Sequence, residues 1–228
     1  VRAAAADADW ALPRRVAALV VSGEERDAVA GRIGGGAIAA ALGELASGAR
    51  DGTSAVDGGA DGEGVATLVL VPDLGAPGRL AELRAGLGSA FAALGPEVPL
   101  LATARSVERA ILAHRLLIAG VLPGPLVIAD EHLPALMLHA DPQLSADLAA
   151  RELAPLLALP ERTRAKLMAT LRAWLDHGGR IENVARELGV HAQTVRYRLN
   201  QLRDELGGRL DDPDGRWALA TALRISQS

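Results

Sequence analysis

The densest run of chemistry-bearing side chains lies between His191 and Arg203, in the segment HAQTVRYRLNQLR. Residues 192–203 contain no Lys, Asp or Glu, and their charges are Arg196, Arg198 and Arg203. A solvated helix face is usually rich in Glu and Lys. A face of Gln, Asn, Arg, Thr and Tyr suits base edges and phosphates instead. Gln and Asn can pair bidentately with adenine, Arg can do so with guanine, and Thr or Tyr can donate to phosphate oxygens. The candidate DNA-contacting residues are therefore Gln193, Thr194, Arg196, Tyr197, Arg198 and Asn200. His191 joins them at the helix N-terminus, near a phosphate.

Positioning these groups requires a helix with a buried back. Val195, Leu199, Leu202 and Leu206 recur at helical spacing as one apolar stripe, and at about 100° per residue Gln193, Tyr197 and Asn200 lie roughly opposite. Upstream, IENVAREL (181–188) buries Val184 and Leu188, with the small Ala185 where two helices must approach. Gly189 supplies a left-handed turn residue, and Val190 plugs the space between the helices. A preceding helix over 161–177 carries Leu167, Leu171, Trp174 and Leu175 on one stripe and stops at Gly178-Gly179. Downstream, Asp212-Pro213 reads as an N-cap followed by proline in the first turn. The helix it starts, 213–226, is expected to bury Trp217, Ala220 and Leu223, and the nearby acids read as capping groups.

Half of the 228 residues are hydrophobic but only five are aromatic, so the core must be built from Ala, Leu, Val and Ile. No cysteine is present, which excludes disulfides, thiolate metal sites and a cysteine nucleophile and suits a cytoplasmic location. No apolar run approaches the ~18 residues needed to span a bilayer, and no signal peptide opens the chain. The chain starts at Val1, as a fragment of a longer protein would. The formal charge of −4 hides an asymmetry: residues 161–228 carry 12 Lys/Arg against 9 Asp/Glu, residues 1–160 carry 12 against 19. Local positive charge, not a basic whole, is what phosphate binding needs. His114, His132, His139, His177 and His191 show no helical ligand pairing, so neither a metal nor another cofactor is expected.

The N-terminal part alternates. Residues 14–21 and 65–71 read as strands, 24–45 as helical with a break at Gly34-Gly35-Gly36, and 47–64 as a mobile loop. Residues 78–94 read as helix, 98–102 as a short strand and 106–119 as a helix with Val107, Ile111 and Ile118 on one stripe. The glycine run fits G-x-G-x-x-A on paper, but it follows a helix where a dinucleotide fingerprint must follow a strand. The expected organisation is an α/β sandwich over 10–133, a helical bridge over 134–160 and an all-α helix-turn-helix domain over 161–228.

These residues carry a family resemblance. TLRAWLDHGG (170–179), VARELGVHAQTVRYRLNQL (184–202) and LDDPDGRWALATALR (210–224) resemble the C-terminal helix-turn-helix of the PucR/CdaR transcriptional regulators, more weakly continued upstream by AARELAPLLAL (149–159) and WALP (10–13). The resemblance implies that the first domain is a degenerate GGDEF-like (diguanylate cyclase) fold and that a sensory region often lies further N-terminal. A working cyclase needs carboxylates to hold divalent metal. The first strand here ends in Val21-Ser22-Gly23, and the hairpin before the second clear strand reads Asp61-Gly62-Glu63-Gly64-Val65, so cyclase activity is not expected. The reading is a regulator that binds double-stranded DNA as a homodimer, not an enzyme and not membrane-bound, with a small-molecule effector left open. Two alternatives remain: an interaction or dimerisation module that has lost DNA binding, and a small-molecule-binding or enzymatic α/β domain, for which no convergent polar set is visible.

Overall fold

The structure is a computed structural model, and it describes residues 12–23, 26–34, 36–41 and 66–226. The mobile loop read over 47–64, the hairpin Asp61–Val65 and Trp10 lie outside the described residues. The chain divides into two compact units, Val1–Leu136 and Met137–Ser228.

The first unit is built on β1 (Arg15–Ser22), whose residues Val16 to Val21 are all buried. Around it run α1 (Arg26–Ile33), β2 (Ile38–Ala41), β3 (Ala66–Pro72), α2 (Arg79–Leu87), β4 (Ala92–Leu94), β5 (Val98–Pro99), α3 (Thr103–Ile118), β6 (Leu126–Ile128) and α4 (Leu133–His139). The sheet order is β2-β3-β1-β4-β6, with β5 also paired to β1. β1 is antiparallel to β3, from Val16 opposite Pro72 to Ser22 opposite Ala66, and antiparallel to β4; β4 and β6 are parallel. The β1-α1-β2-β3-α2-β4 succession is a split βαβ arrangement, in which β1 separates β3 from β4.

Side-chain alternation along β1 explains the continuous apolar run, because both faces are covered. Ala17, Leu19 and Val21 pack with Val29 and Ile33 of α1 and Leu83 and Leu87 of α2. Ala18 and Val20 pack instead with Ala110, Val107 and Ile111 of α3. A buried polar staple ties α3 to the sheet: Ala18 N donates to Ser106 Oγ at 2.8 Å, and Ser106 Oγ donates to Pro96 O at 2.7 Å.

Several expectations are corrected here. The helical reading of 24–45 ends at Ile33, and Ile38–Ala41 is a strand because β3 offers it a free edge to pair with. The helical reading of 78–94 ends at Leu87, and Ala92–Leu94 is a strand held between β1 and β6. Of the 98–102 segment, Val98–Pro99 pairs with β1 and Leu100–Ala102 is a 3-10 turn. Ile118 is 57% exposed, so the buried stripe of α3 runs through Ala110, Ala113 and Leu117 rather than through it.

The second unit is all helical: α5 (Pro142–Leu157), α6 (Glu161–Asp176), α7 (Ile181–Leu188), α8 (Ala192–Leu206) and α9 (Pro213–Ile225). Leu153 and Leu156 of α5, Leu167 and Leu171 of α6, Val184 of α7, the four-residue stripe of α8 and Leu219 and Leu223 of α9 form one core. The segment read as a bridge thus supplies part of that core. Asp141 caps α5 by accepting from Leu144 N at 2.9 Å, and Asp212 caps α9 by accepting from Gly215 N at 2.7 Å. α9 turns differently from expectation. It buries Leu219, Ala222 and Leu223, while Trp217 is 64% exposed.

Candidate nucleic-acid interface

The geometry of α7 and α8 starts at their joint. Gly189 adopts φ 62°, ψ 36°, the left-handed region that costs an L side chain ~1–2 kcal/mol. Gly189 N donates to Arg186 O at 3.3 Å and Val190 N to Ala185 O at 3.0 Å, the paired bonds of a Schellman ending. The chain leaves α7 sharply and enters α8 one residue after Val190. His191 is extended at the N-cap, its carbonyl accepting from Thr194 N at 2.9 Å and Val195 N at 3.2 Å, while its ring makes no capping bond. The exposed imidazole therefore stands at the positive end of the α8 dipole.

Val195, Leu199, Leu202 and Leu206 are all buried, fixing the rotation of α8 about its axis. His191, Gln193, Arg196, Tyr197 and Asn200 are consequently exposed, and Thr194 and Arg198 are half-buried. Arg196 has no ion-pair partner among the described residues. Asn200 Oδ1 accepts from Arg203 Nη1 at 3.2 Å, and Arg203 also faces Asp211 at 3.6 Å. That bond leaves the Asn200 amide nitrogen to donate outward. Tyr197 OH accepts from Gln201 Nε2 at 3.3 Å. Arg198 behaves differently from its neighbours: it leans onto α6, its Nη1 donating to Thr170 Oγ1 at 3.3 Å.

Sequence reading missed the part of this surface that α6 contributes. Thr163, Lys166 and Leu167 form the opposite wall of an open groove against Thr194, Tyr197, Arg198 and Gln201. The signal was present as a matching row of spacings on the two helices, but it has meaning only once the helices are known to pack side by side. α7 is braced separately, by His177 Nε2 bonded to Glu187 Oε2 at 2.6 Å.

In the first unit, Ser22 at the end of β1 lies 2.6 Å from His114 Nε2 through its Oγ. Burial pushes the His114 imidazole below its ordinary value. Among the described residues no group of three or more His, Asp or Glu could hold a metal ion, and no helix is long and apolar enough to cross a membrane.

Two helices at a tight glycine turn, the second presenting a polar face free of carboxylates from Ala192 through Arg203 on an apolar back, define a helix-turn-helix DNA-binding domain. Residues 167–225 match the PucR C-terminal helix-turn-helix domain. An uncharacterised protein encoded in the pkwA 5' region of Thermomonospora curvata is 36% identical over 159 residues, which are 69% of this chain and 79% of that protein. An uncharacterised protein of Mycobacterium tuberculosis is 35% identical over 150 residues, 65% of this chain, so the chain spans about a third (35%) of that relative's length. The chain also superimposes, with a TM-score of 0.40 and 24% identity, on a regulator of polyketide synthase expression from Bifidobacterium adolescentis, over 96% of this chain and 82% of that one. Residues 167–225 of the chain are thus a PucR-type helix-turn-helix domain, and the class of protein it defines is that of DNA-binding transcription regulators.

Proposed function

We propose that the chain reads a specific sequence in double-stranded DNA as a homodimer, with α8 from Ala192 to Arg203 in the major groove. Gln193, Arg196 and Asn200 read base edges, Thr194, Tyr197 and Arg198 hold phosphates, and His191 sits against a phosphate at the helix start. The observation that carries this reading is the exposed face of α8, rich in amide and guanidinium groups and lacking any carboxylate through residue 203. One such helix reads only a few base pairs, so useful specificity calls for two half-sites about 34 Å apart or a multiple of it. The protein is not an enzyme and works in the cytoplasm, where its DNA is.

The domain expected over 10–133, within the first unit, serves in this reading as a degenerate GGDEF-like scaffold of the kind found in PucR/CdaR regulators. Ser22 stands at the end of β1, where a cyclase needs a carboxylate, and its hydroxyl is already committed to His114. The unit then offers a dimerisation surface or an effector site.

Fluorescence-anisotropy titration against a random duplex pool at two salt concentrations, followed by sequencing of the bound fraction, tests the proposal. Salt-sensitive binding and an enriched, roughly palindromic motif are expected. Arg196→Ala should weaken binding to that motif by ~1–3 kcal/mol, the value of one bidentate guanine contact. Undiminished affinity at matched salt would remove Arg196 from the interface. No binding at low salt would shift the reading to an interaction module.

A further inference from the structure

The groove between α6 and α8 is lined by hydrogen-bond donors and two cations. Thr163, Lys166 and Thr170 follow one face of α6 at i, i+3 and i+7, and Thr194, Tyr197 and Gln201 repeat that spacing on α8. Thr170 is buried beneath the groove, and the space between Thr163 and Lys166 on one side and Thr194, Tyr197 and Gln201 on the other measures about 320 Å³. Its floor is Leu167, which is buried; its walls carry two Thr hydroxyls, a phenol, an amide and the cations Lys166 and Arg198. No carboxylate lines it. Lys166 is exposed and has no ion-pair partner among the described residues. Arg198 is held in place by Thr170 Oγ1 at 3.3 Å, so its guanidinium needs little further ordering to act. A donor-rich, carboxylate-free groove with two cations matches the chemistry of a phosphodiester.

We infer that Lys166 and Thr163 of α6, with Arg198 and Tyr197 of α8, clamp one backbone phosphate of the duplex beside the major groove that α8 enters. The inference rests on the DNA-binding reading above and extends it. Two of the four residues, Thr163 and Lys166, precede the segment 167–225 that matches the PucR domain. The clamp therefore enlarges the DNA-contacting surface beyond the helix-turn-helix itself. It positions α8 and carries no sequence information, as phosphate contacts do.

The test uses the full chain and its duplex at salt concentrations between about 50 and 200 mM. Lys166→Gln removes one phosphate-neutralising charge. The slope of log affinity against log salt should become shallower by ~0.9, so the variant loses about 3.5-fold less affinity than wild type across that range. The drop in affinity should be equal on the selected motif and on a scrambled duplex. Lys166→Arg should restore the slope, and Thr163→Val should lower affinity at an unchanged slope. Arg224→Gln is the control, because Arg224 lines a different groove, with Arg172 on the opposite face of α6. A Lys166→Gln slope equal to that of a salt-sensitive wild type overturns the clamp and leaves the DNA reading standing. A wild-type chain that binds no duplex at low salt overturns both. Inorganic phosphate is titrated in parallel by calorimetry. Saturable phosphate binding that Lys166→Gln abolishes, with no change in duplex slope, assigns the groove to a free phosphate and also overturns the clamp.

Discussion

The contact between Thr170 and Arg198 makes a sharp quantitative test of how α8 is held. Thr170 is fully buried on α6; its Oγ1 donates to Lys166 O at 2.8 Å and accepts from Arg198 Nη1 at 3.3 Å. Thr170→Val keeps the volume and deletes both bonds. The Lys166 carbonyl still has its helical partner, so the loss there is small. A hydrogen bond to a charged group contributes ~1.5–3 kcal/mol. The 3.3 Å length and the half-buried guanidinium, which water can still reach, put this one below that range, at about 1 kcal/mol. A double-mutant cycle of Thr170→Val with Arg198→Ala should therefore give a coupling of ~1 kcal/mol. In a unit the size of Met137–Ser228, each ~1 kcal/mol moves the melting temperature by ~4–8 °C. Urea unfolding followed by tryptophan fluorescence reads this unit, since Trp174 and Trp217 lie on α6 and α9. Thr170→Val should also weaken duplex binding without changing its salt slope, because the Arg198 charge remains. A coupling under ~0.3 kcal/mol, within the scatter of independent sites, would show that Arg198 rests over α6 without being held by it.

Other perturbations separate core, turn and titration effects. Leu202→Ala, at a fully buried site where α8 meets the other helices, should cost ~2.7–5 kcal/mol in urea unfolding, and a loss under ~1 kcal/mol would contradict the packing described. Gly95→Ala would set its Cβ 2.1 Å from Ser106 O and 2.6 Å from Ser106 Oγ, so it should break the staple between β1 and α3. Hydrogen exchange at Ala18 should then lose its protection, and retained protection would refute the account. His114 is held below its ordinary value of 6.5 by burial, so the unfolded chain takes up its proton at higher pH than the folded one. The stabilisation is present above pH 6.5 and is lost as pH falls through the lower, folded value. The slope is at most ~1.4 kcal/mol per pH unit for one proton. His114→Gln should flatten the acid limb of first-unit stability in hydrogen exchange; an unchanged limb would mean that another group controls it.

The second unit was legible in the sequence for a physical reason. Val195, Leu199, Leu202 and Leu206 sit at helical spacing between polar neighbours, so pattern, propensity and burial agree. Gly189 was equally readable, because the turn demands a conformation that few other residues adopt. The first unit hid its short strands. Ile38–Ala41 and Ala92–Leu94 are Ala-rich, and local propensity favours helix there. Ladder pairing with β3 and with β1 and β6 overrides that preference, and no window of sequence contains those partners. Trp217 and Ile118 mislead in another way. Trp217 is the bulkiest apolar residue of its stripe, yet Leu219, Ala222 and Leu223 take the buried places, and Ile118 gives way to its neighbours Leu116 and Leu117.

The role of α5 bears on how such domains can be cut and joined. Leu153 and Leu156 are buried in the same core as α8, and Glu152, also buried, pairs with Arg209 at 3.4 Å in the turn that follows α8. A fragment starting at Glu161, where the sequence pattern alone places the start of the helix-turn-helix domain, would strip this cover from α9 and leave Arg209 without its carboxylate. The unit that can be moved intact onto a different partner domain therefore begins ahead of Asp141. Recombination that respects the fold must carry α5 along, and so must any reporter fusion designed to test the DNA-binding half alone.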